Sequence, residues 1–294
     1  MIKLRSWSRF KVEKLSYSKA LDRVFLVLKN NDKFPEDAQY LLEELSGLNY
    51  TQLQLRRNDL VSEEILTKFN QGIQLLLKDE PVQYILGEAY FLGEKFSVDD
   101  NVLIPRQETE EMVEKIIQDH SESSMSILDV GTGSGVIAIS LALKFPDDEV
   151  VASDISSDAL KVAAKNAQRL QTDNVHFFQS NLFSNDKLGK FDVIVSNPPY
   201  IAESEQNVMD QSVIKYEPDL ALYGKNDGLD FYERFSKQVI EYLNPGGKLY
   251  MEFGYNQKNK IKQIFSNNMP DYAVEFYKDI SGNYRYLKLF RKKG

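Results

Sequence analysis

Cysteine is absent from the 294 residues of this chain. Disulfide bonds, thiolate metal sites and cysteine nucleophiles are therefore excluded, and a reducing compartment is the expected environment. Histidine is scarce as well, since only His120 and His176 occur and neither has a partner at the spacing of metal ligands. We therefore expect a protein without a metal site.

Long apolar runs are also lacking. No stretch approaches the roughly 20 apolar residues that a transmembrane helix needs, and the first residues lack the apolar core of a secretory signal peptide. The content of 42% hydrophobic and 27% charged residues is that of an ordinary globular protein. We therefore expect a cytoplasmic monomer without membrane contact.

Positive charge is scarce in the larger part of the chain. Residues 1–84 carry 13 Lys and Arg against 12 Asp and Glu, whereas the remainder carries 23 against 32. An acidic region repels phosphate backbones, so we expect no direct binding of DNA. The first 33 residues are locally basic, with nine Lys and Arg against three Asp and Glu. A solvated helix face and a contact with RNA or a protein partner both remain open for that segment.

Three regions follow one another along the chain. Residues 1–84 carry apolar residues at helical spacing, and Gly47 is placed to end one of the predicted helices. Residues 85–105 contain a hairpin pattern with Gly93 near its turn. We predict a small all-helical domain over residues 1–84, a β-hairpin connector over 85–105, and a larger domain over 106–294.

In the larger region, stretches typical of strands alternate with stretches typical of helices. The predicted strands are Ser126–Val130, Glu149–Ser153, Val175–Gln179, Phe191–Ser196, Lys248–Phe253, and a closing pair at Tyr272–Tyr277 and Tyr284–Phe290. Alternation at this spacing implies a mostly parallel sheet with helices on both faces. The sequence therefore predicts an α/β fold with a Rossmann-like domain.

A strand, a glycine-rich turn and a helix follow one another at residues 127–137. The turn consists of Gly131, Thr132, Gly133, Ser134 and Gly135. Glycines let the backbone approach a ligand and adopt angles closed to other residues, and the helix N-terminus offers free amides to an anionic group. A dinucleotide site would have its third glycine at position 136, where Val136 stands. The observed spacing is typical of methyltransferases, whose cofactor has a carboxylate and no pyrophosphate.

Two acidic residues accompany the glycine turn. Asp129 directly precedes the glycines, where its carboxylate fits the ammonium group of a cofactor. Asp154 ends the second predicted strand, 23 residues after Gly131, which is close to the spacing of the acid that binds ribose hydroxyls. A surface acid that caps the next helix is the alternative for Asp154. The combination of turn, acid and topology favours nucleoside binding.

The second candidate site is Asn197-Pro198-Pro199-Tyr200, at the end of the fourth predicted strand. In a doubly wound sheet this strand lies beside the first, where ligands bind. The side-chain oxygen of Asn197 and the carbonyl oxygen of Pro198 provide two acceptors for the hydrogens of a substrate N–H group. Tyr200 provides a ring that stacks on a planar amide or base. The pattern predicts methylation of a planar nitrogen by positioning and electrostatics, without a strong base.

Further segments narrow the resemblance. They are Glu80–Gly87, Leu103–Glu110, Tyr216–Leu222 and Asp227–Tyr232. Together with the two candidate sites, they resemble the PrmC/HemK family of class I methyltransferases over residues 80–294. The resemblance implies N5 methylation, by S-adenosylmethionine, of the glutamine in the Gly-Gly-Gln motif of peptide chain release factors.

The resemblance also assigns roles to residues. It implies that Gly131–Gly135 and Asp154 bind the cofactor and that Asn197–Tyr200 bind the glutamine amide. We further expect the helical domain to recognise the substrate protein, because one small side chain cannot supply a specific interface. Asn181 and Leu182 depart from the family pattern, in which an acid and a tryptophan occur at these positions. We expect both to flank the adenine, with Asn181 accepting from its amino group and Leu182 packing against the ring.

Two other functions compete with this reading. One is methylation of an exocyclic amine of a nucleic-acid base, as in N6-adenine methyltransferases that share the Asn-Pro-Pro-Tyr motif. The acidic catalytic region and the lack of a base-recognition insertion disfavour it. The other is a non-catalytic adaptor, which the intact glycines, Asp154 and Asn197 disfavour.

Overall fold

The computed structural model describes residues 14–120 and 124–292. The chain divides into two compact units, with the boundary between Leu86 and Gly87. The described part of each unit has its own buried apolar core. Among the described residues, no helix is long and apolar enough to cross a membrane.

The first unit is helical. Its helices are α1 (Tyr17–Lys29), α2 (Pro35–Ser46), α3 (Tyr50–Leu55), α4 (Glu63–Leu76) and α5 (Val82–Leu86). Their apolar faces meet in a core that includes the fully buried Leu42 and Phe69. Gly47 ends α2 with a left-handed φ of 67°, and the hydroxyl of Ser62 accepts from the amide of Ile65 at the start of α4. These termini follow from ordinary capping chemistry.

A β-hairpin opens the second unit. Strands β1 (Glu88–Phe91) and β2 (Glu94–Ser97) pair antiparallel. Both turn residues, Leu92 and Gly93, have positive φ, as a tight two-residue hairpin turn requires. Phe91 and Phe96 are fully buried in the core of this second unit.

The larger sheet of the second unit is seven-stranded and mostly parallel. Its strands are β3 (Ser126–Val130), β4 (Glu149–Asp154), β5 (Val175–Gln179), β6 (Phe191–Ser196), β7 (Leu243–Glu252), β8 (Tyr272–Lys278) and β9 (Tyr284–Arg291). The spatial order is β5-β4-β3-β6-β7-β9-β8, and β9 runs antiparallel to both of its neighbours. The order reverses between β3 and β6, so the carboxyl ends of these strands form the ligand-binding edge expected of such a sheet.

The helices of the second unit connect these strands. They are α6 (Gln107–Asp119), α7 (Val136–Lys144), α8 (Ser157–Leu170), α9 (Gln211–Tyr216), α10 (Asp219–Leu222), α11 (Lys225–Gly228), α12 (Asp230–Ser236) and α13 (Lys258–Asn268). Two 3-10 segments are added, at Glu203–Val208 and Val239–Tyr242. The predicted α/β class, with a helical region before a Rossmann-like domain, is confirmed.

One predicted helix and one predicted strand have different bounds in the structure. The sequence pattern of residues 229–243 predicts one continuous helix, whereas α12 ends at Ser236 and a 3-10 segment follows at Val239–Tyr242. The strand expected from Lys248 begins at Leu243, which pairs with Phe191. The register then shifts between Phe191 and Val193. This irregularity admits the Asn-Pro-Gly-Gly sequence into the strand, although such residues usually indicate a turn.

Candidate active site

A cavity of about 410 Å³ lies at the carboxyl ends of the parallel strands. Its wall is formed by the turn after β3, the end of β4, and the segments after β5 and β6. Residues 100–106 and 218–225 and helix α12 complete it. The two candidate sites therefore share one cavity, because both follow neighbouring strands that end at the same edge.

The glycine turn needs glycine for two different reasons. Gly131 and Gly133 have φ of 77° and 54°, and a Cβ on either would meet nothing within 4 Å. Their requirement is therefore conformational. A Cβ on Gly135 would instead lie 2.8 Å from Cδ1 of Ile139 and 3.1 Å from Cβ of Ala163. Gly135 thus allows α7 to pack closely on α8.

Asp154 connects the glycine turn to β4. Its Oδ2 accepts from the amide of Gly133 at 2.9 Å, and its Oδ1 accepts from the amide of Ser156 at 2.9 Å. The residue is only 8% exposed, and burial raises the pKa of its carboxyl group although these hydrogen bonds oppose the rise. Each oxygen retains a further lone pair, so the carboxylate remains able to accept from two ligand hydroxyls.

Asp129 lies below the glycine turn and is fully buried. Its Oδ2 accepts from the hydroxyl of Thr132 at 2.7 Å, whereas its Oδ1 has no hydrogen-bond partner in the described part of the chain. Burial raises the pKa of this carboxyl group to about 7, and the hydrogen bond from Thr132 opposes the rise. A buried acid in this condition is stabilised as an anion by a nearby positive charge.

The segment after β5 forms another part of the cavity. Asn181 accepts from Nη2 of Arg234 through Oδ1 at 2.8 Å, and Arg234 also pairs with Asp230 at 3.5 Å. Leu182 is 5% exposed and has a φ of 56°. Its carbonyl oxygen accepts from the hydroxyl of Ser180 at 2.8 Å, which fixes this strained turn.

Asn197 is held by a chain of buried hydrogen bonds. Its Nδ2 donates to Oγ1 of Thr109 at 3.0 Å, and the hydroxyl of Thr109 donates to Oε2 of Glu252 at 2.7 Å. The hydroxyl of Tyr200 donates to the other carboxylate oxygen, Oε1, at 3.1 Å. Thr109 and Glu252 are 2% and 1% exposed. One buried carboxylate at the end of β7 therefore binds, directly or through Thr109, both polar side chains of the Asn197–Tyr200 turn.

The backbone of the same turn is clamped by α11 and Gln257. The side-chain Nε2 of Gln257 donates to the backbone carbonyl of Tyr200 at 2.9 Å. A Cβ on Gly228 would lie 2.0 Å from that carbonyl oxygen, and one on Gly224 would lie 2.6 Å from the carbonyl oxygen of Pro199. These contacts fix the backbone of the turn, and only glycine at positions 224 and 228 allows so close an approach.

An ion pair joins two segments of the cavity wall. Nη2 of Arg106 lies 2.5 Å from Oε1 of Glu217, and Oε2 of Glu217 accepts from the amide of Ile104 at 3.3 Å. Glu217 is 5% exposed, and burial raises the pKa of its carboxyl group against the attraction of Arg106. The segments that contain Leu103–Glu110 and Tyr216–Leu222 are therefore tied together, 111 positions apart.

Comparison with known proteins identifies both regions of the chain. Residues 121–294 match the model of a methyltransferase domain, and residues 19–87 match that of the PrmC N-terminal domain. The release factor glutamine methyltransferase of Lactococcus lactis is 45% identical over 84% of this chain and 90% of that protein. The proteins of the same name from Enterococcus faecalis and Staphylococcus aureus are 38% and 34% identical, over 84% and 92% of this chain and 88% and 98% of their own lengths.

The chain belongs to the release factor glutamine methyltransferase family. The predicted PrmC/HemK resemblance is therefore confirmed, and the chain is a methyltransferase whose methyl donor is S-adenosylmethionine. A methyltransferase from Pyrococcus furiosus has a TM-score of 0.52 and 22% identity, over 68% of this chain and 89% of that one. At this identity the likeness shows the class I fold alone.

The structure brings most of the predicted site residues to the cavity wall. These are Gly131, Thr132, Gly133, Ser134, Asp154, Asn181, Leu182, Asn197 and Pro199. Asp129, Gly135, Pro198 and Tyr200 are not among the lining residues. Asp129 is fully buried beneath the glycine turn, and Gly135 lies where α7 packs on α8. Tyr200 packs against the apolar core, and its hydroxyl donates to Glu252.

The residues present fit this cofactor. The buried Oδ1 of Asp129, without a partner in the described part of the chain, suits a ligand with positively charged ammonium and sulfonium groups. The cavity also offers the remaining lone pairs of Asp154 to a ribose diol. Its wall at Gly131 and Gly133 carries no side chain, which leaves the backbone open to a ligand carboxylate.

Sequence reasoning assigned no role to Thr109 and Arg234, which line the cavity, or to Glu252 and Gln257, which are not among its lining residues. A signal existed for Glu252, which interrupts the otherwise apolar run from Leu249 to Phe253. An acid within a buried strand needs partners. Thr109 gave a weaker signal, since it lies on the buried face of α6 together with Met112 and Val113.

Proposed function

We propose that this chain methylates the side-chain amide nitrogen of the glutamine in the Gly-Gly-Gln motif of peptide chain release factors. The observation that carries the proposal is the fixed amide of Asn197 in the wall of the cofactor cavity. Its Nδ2 is engaged by Thr109, which leaves Oδ1 for the N–H group of a substrate. An acceptor, and no strong base, is what a primary amide requires here.

The cofactor end is assigned to the cavity residues described above. Asp154 is proposed to accept from the ribose hydroxyls, and the backbone of Gly131–Ser134 to bind the carboxylate of the cofactor. Asp129 is proposed to stabilise the positive charge from below the turn. Asn181 and Leu182 are proposed to flank the adenine. Arg234 already occupies one lone pair of Asn181 Oδ1, so the second is the one left for the adenine amino group.

At the reacting end, the chain acts by orientation. S-adenosylmethionine supplies an electrophilic methyl group when bound. The amide nitrogen is a poor nucleophile because its lone pair is delocalised into its carbonyl group. Oδ1 of Asn197 and the carbonyl oxygen of Pro198 would accept the two N–H hydrogens and so turn the lone pair toward the methyl group. The same acceptors favour the positive charge that develops on nitrogen, which then loses a proton to solvent.

The small size of the reacting glutamine side chain limits how the substrate protein can be recognised. A glutamine reaches the cavity only on a narrow loop, and two glycines before it remove Cβ groups from that loop. One small side chain cannot supply a specific interface. We therefore assign recognition of the release factor to the helical first unit, in which Leu26, Phe34, Leu55 and Leu60 are exposed. Residues 1–13 of the basic segment lie outside the described residues.

Methyl transfer from labelled cofactor to a purified release factor tests the proposal, with mass spectrometry of peptides to locate the methyl group. We expect methylation of the intact factor, little or none of a short Gly-Gly-Gln peptide, and none after replacement of the glutamine by glutamate. A methyl group on RNA or DNA adenine, with the release factor unmodified, would refute it. Release factors act in translation termination, so the proposal includes a cytoplasmic location for the enzyme.

A further inference from the structure

We propose that Glu252, acting through Thr109, is the positioning residue that decides which end of the Asn197 amide faces the substrate. This inference rests on the proposed function, in which Oδ1 of Asn197 accepts from the substrate amide. The two ends of a carboxamide have the same shape, so only hydrogen-bond partners decide its orientation. The orientation of the Asn197 side chain therefore depends on whether its hydrogen-bond partner can only accept.

The direction of the hydrogen bonds follows from Glu252. An ionised carboxylate only accepts, so the hydroxyl hydrogen of Thr109 is committed to Oε2 at 2.7 Å. Oγ1 of Thr109 can then only accept from Asn197, which must present Nδ2 to it, 3.0 Å away. Oδ1 is thereby left for the cavity that Asn197 lines. Because Glu252 is negatively charged, the oxygen of the Asn197 side chain faces the cavity and can accept a hydrogen bond from the reacting nitrogen.

A neutral Glu252 allows the opposite orientation. A carboxylic acid donates its proton to Oγ1 of Thr109, whose hydroxyl hydrogen is then free for Oδ1 of Asn197. Rotation of the amide by half a turn would present its NH2 group to the cavity at no cost in volume. The NH2 group of Asn197 would then face the NH2 group of the substrate amide, and neither could accept a hydrogen bond from the other. The reversed form therefore binds the substrate nitrogen poorly and does not aim its lone pair.

Several other groups lie around Glu252, and they act on different parts of the residue. Tyr200 donates to Oε1 at 3.1 Å, and the hydroxyl of Tyr232 donates to the backbone carbonyl of Glu252 at 2.8 Å. Arg285 of β9, which pairs with Asp279 at 3.2 Å, attracts the carboxylate, and Glu108 of α6 repels it. Burial, the largest influence, raises the pKa of Glu252 to about 7. The ionised fraction of Glu252 therefore changes across neutral pH.

Turnover of the full-length enzyme on an intact release factor, with both substrates saturating, tests this inference. In the wild type, kcat is expected to rise with pH and to level off above about pH 7. Glu252→Gln and Thr109→Val are each expected to lower kcat by about ten- to hundred-fold and to abolish that rise, with unchanged affinity for S-adenosylmethionine. Thr109→Ser, which keeps the hydroxyl, is expected to restore most of the wild-type rate. The double variant should be no slower than the slower single variant, because both act through one chain of hydrogen bonds.

Tyr232→Phe is the matched control. It removes the hydrogen bond to the backbone carbonyl of Glu252 and leaves the carboxylate and Thr109 untouched. We expect it to lower thermal stability while kcat and its pH dependence stay as in the wild type. The inference is overturned if Glu252→Gln retains the wild-type kcat and pH dependence. It is equally overturned if Tyr232→Phe and Glu252→Gln lose kcat to the same extent, since that result indicates a merely structural role.

A second readout needs no protein substrate. The side-chain NH2 resonances of Asn197, labelled with nitrogen-15 and assigned by their loss in Asn197→Ala, are expected to shift with pH around a midpoint near 7. The shift should vanish in Glu252→Gln and in Thr109→Val. If the wild type fails to methylate release factors, the proposed function falls while this titration still decides the role of Glu252. A pH-independent resonance in the wild type would overturn the inference.

Discussion

Replacement of Asp154 by alanine gives a quantitative test of the cofactor site. The carboxylate holds the amides of Gly133 and Ser156, each at 2.9 Å, and lines the cavity. The alanine variant therefore loses the proposed ribose acceptors and the anchor of the glycine turn together. Asp154→Asn keeps one acceptor oxygen, which separates these two contributions. The single oxygen of the asparagine side chain can accept from the backbone amides of the turn or from a ribose hydroxyl. It cannot accept from all the groups that the two carboxylate oxygens serve in the wild type.

The magnitude follows from the type of hydrogen bond. A hydrogen bond to a charged group contributes about 1.5–3 kcal/mol, so Asp154→Ala is expected to weaken S-adenosylmethionine binding by roughly ten- to hundred-fold or slightly more. Asp154→Asn should fall between the alanine variant and the wild type. Isothermal titration calorimetry measures both affinities, and circular dichroism verifies that each variant is folded.

The control is Asp158→Ala on the same side of the sheet. Asp158 lies in the first turn of α8, its side chain is 58% exposed, and Lys161 is its one ion-pair partner within the described part of the chain. An exposed pair of this kind contributes little, so we expect cofactor affinity to stay within about twofold. If a folded Asp154→Ala binds the cofactor as tightly as Asp158→Ala does, then Asp154 is only a helix cap and the assignment is wrong.

Three further predictions follow from the structure. Asn197→Ala is expected to keep cofactor affinity by calorimetry while kcat falls by about 10²–10³, as for loss of one preorganised polar group, and a retained rate would contradict the acceptor role. Asp129 binds a proton more tightly in the folded than in the unfolded state, so the free energy of unfolding in urea should fall as pH rises from about 4 to 7. The free energy of unfolding should fall by at most about 4 kcal/mol over this range, and this fall should be smaller in Asp129→Asn. An equal dependence on pH in the variant and the wild type would refute the raised pKa of Asp129. Gly228→Ala should destabilise the fold by more than Gly246→Ala, because both have positive φ but only the first Cβ would approach the carbonyl of Tyr200, at 2.0 Å; equal melting temperatures would contradict this.

The sequence alone predicts the strands because the pattern that marks them is local. Alternation of apolar strands with helices specified the sheet, and β3, β5 and β6 have the predicted bounds. The lining residues that directly follow a strand were predicted for the same reason, because their position relative to the strand is visible in the sequence. The lining residues at 100–106, 218–225 and on α12 do not follow a strand, and their position in the wall depends on packing. The glycine turn and Asn197 are therefore predictable from the sequence without knowledge of the packing.

The residues that orient the site were missed because their contacts are not local. Thr109 and Glu252 are 143 positions apart, and Gln257 reaches Tyr200 across 57 positions. No periodicity links such pairs, and a single Thr on a buried helix face has many possible partners. The left-handed Leu182 was also beyond prediction, because its conformation depends on the hydroxyl of Ser180 rather than on its own preference.

The buried position of Glu252 lowers the stability of the fold and at the same time orients the side chain of Asn197. Burial raises the pKa of its carboxyl group to about 7, so ionisation near neutral pH lowers the free energy of unfolding. An apolar residue of similar volume would avoid this loss. It would also leave the hydroxyl of Thr109 without an acceptor, and Asn197 would then be free to turn either end of its amide toward the cavity. Burial of the ionised Glu252 therefore costs stability in the same pH range in which its charge keeps the acceptor of Asn197 at the reacting nitrogen, and the two effects should change together with pH.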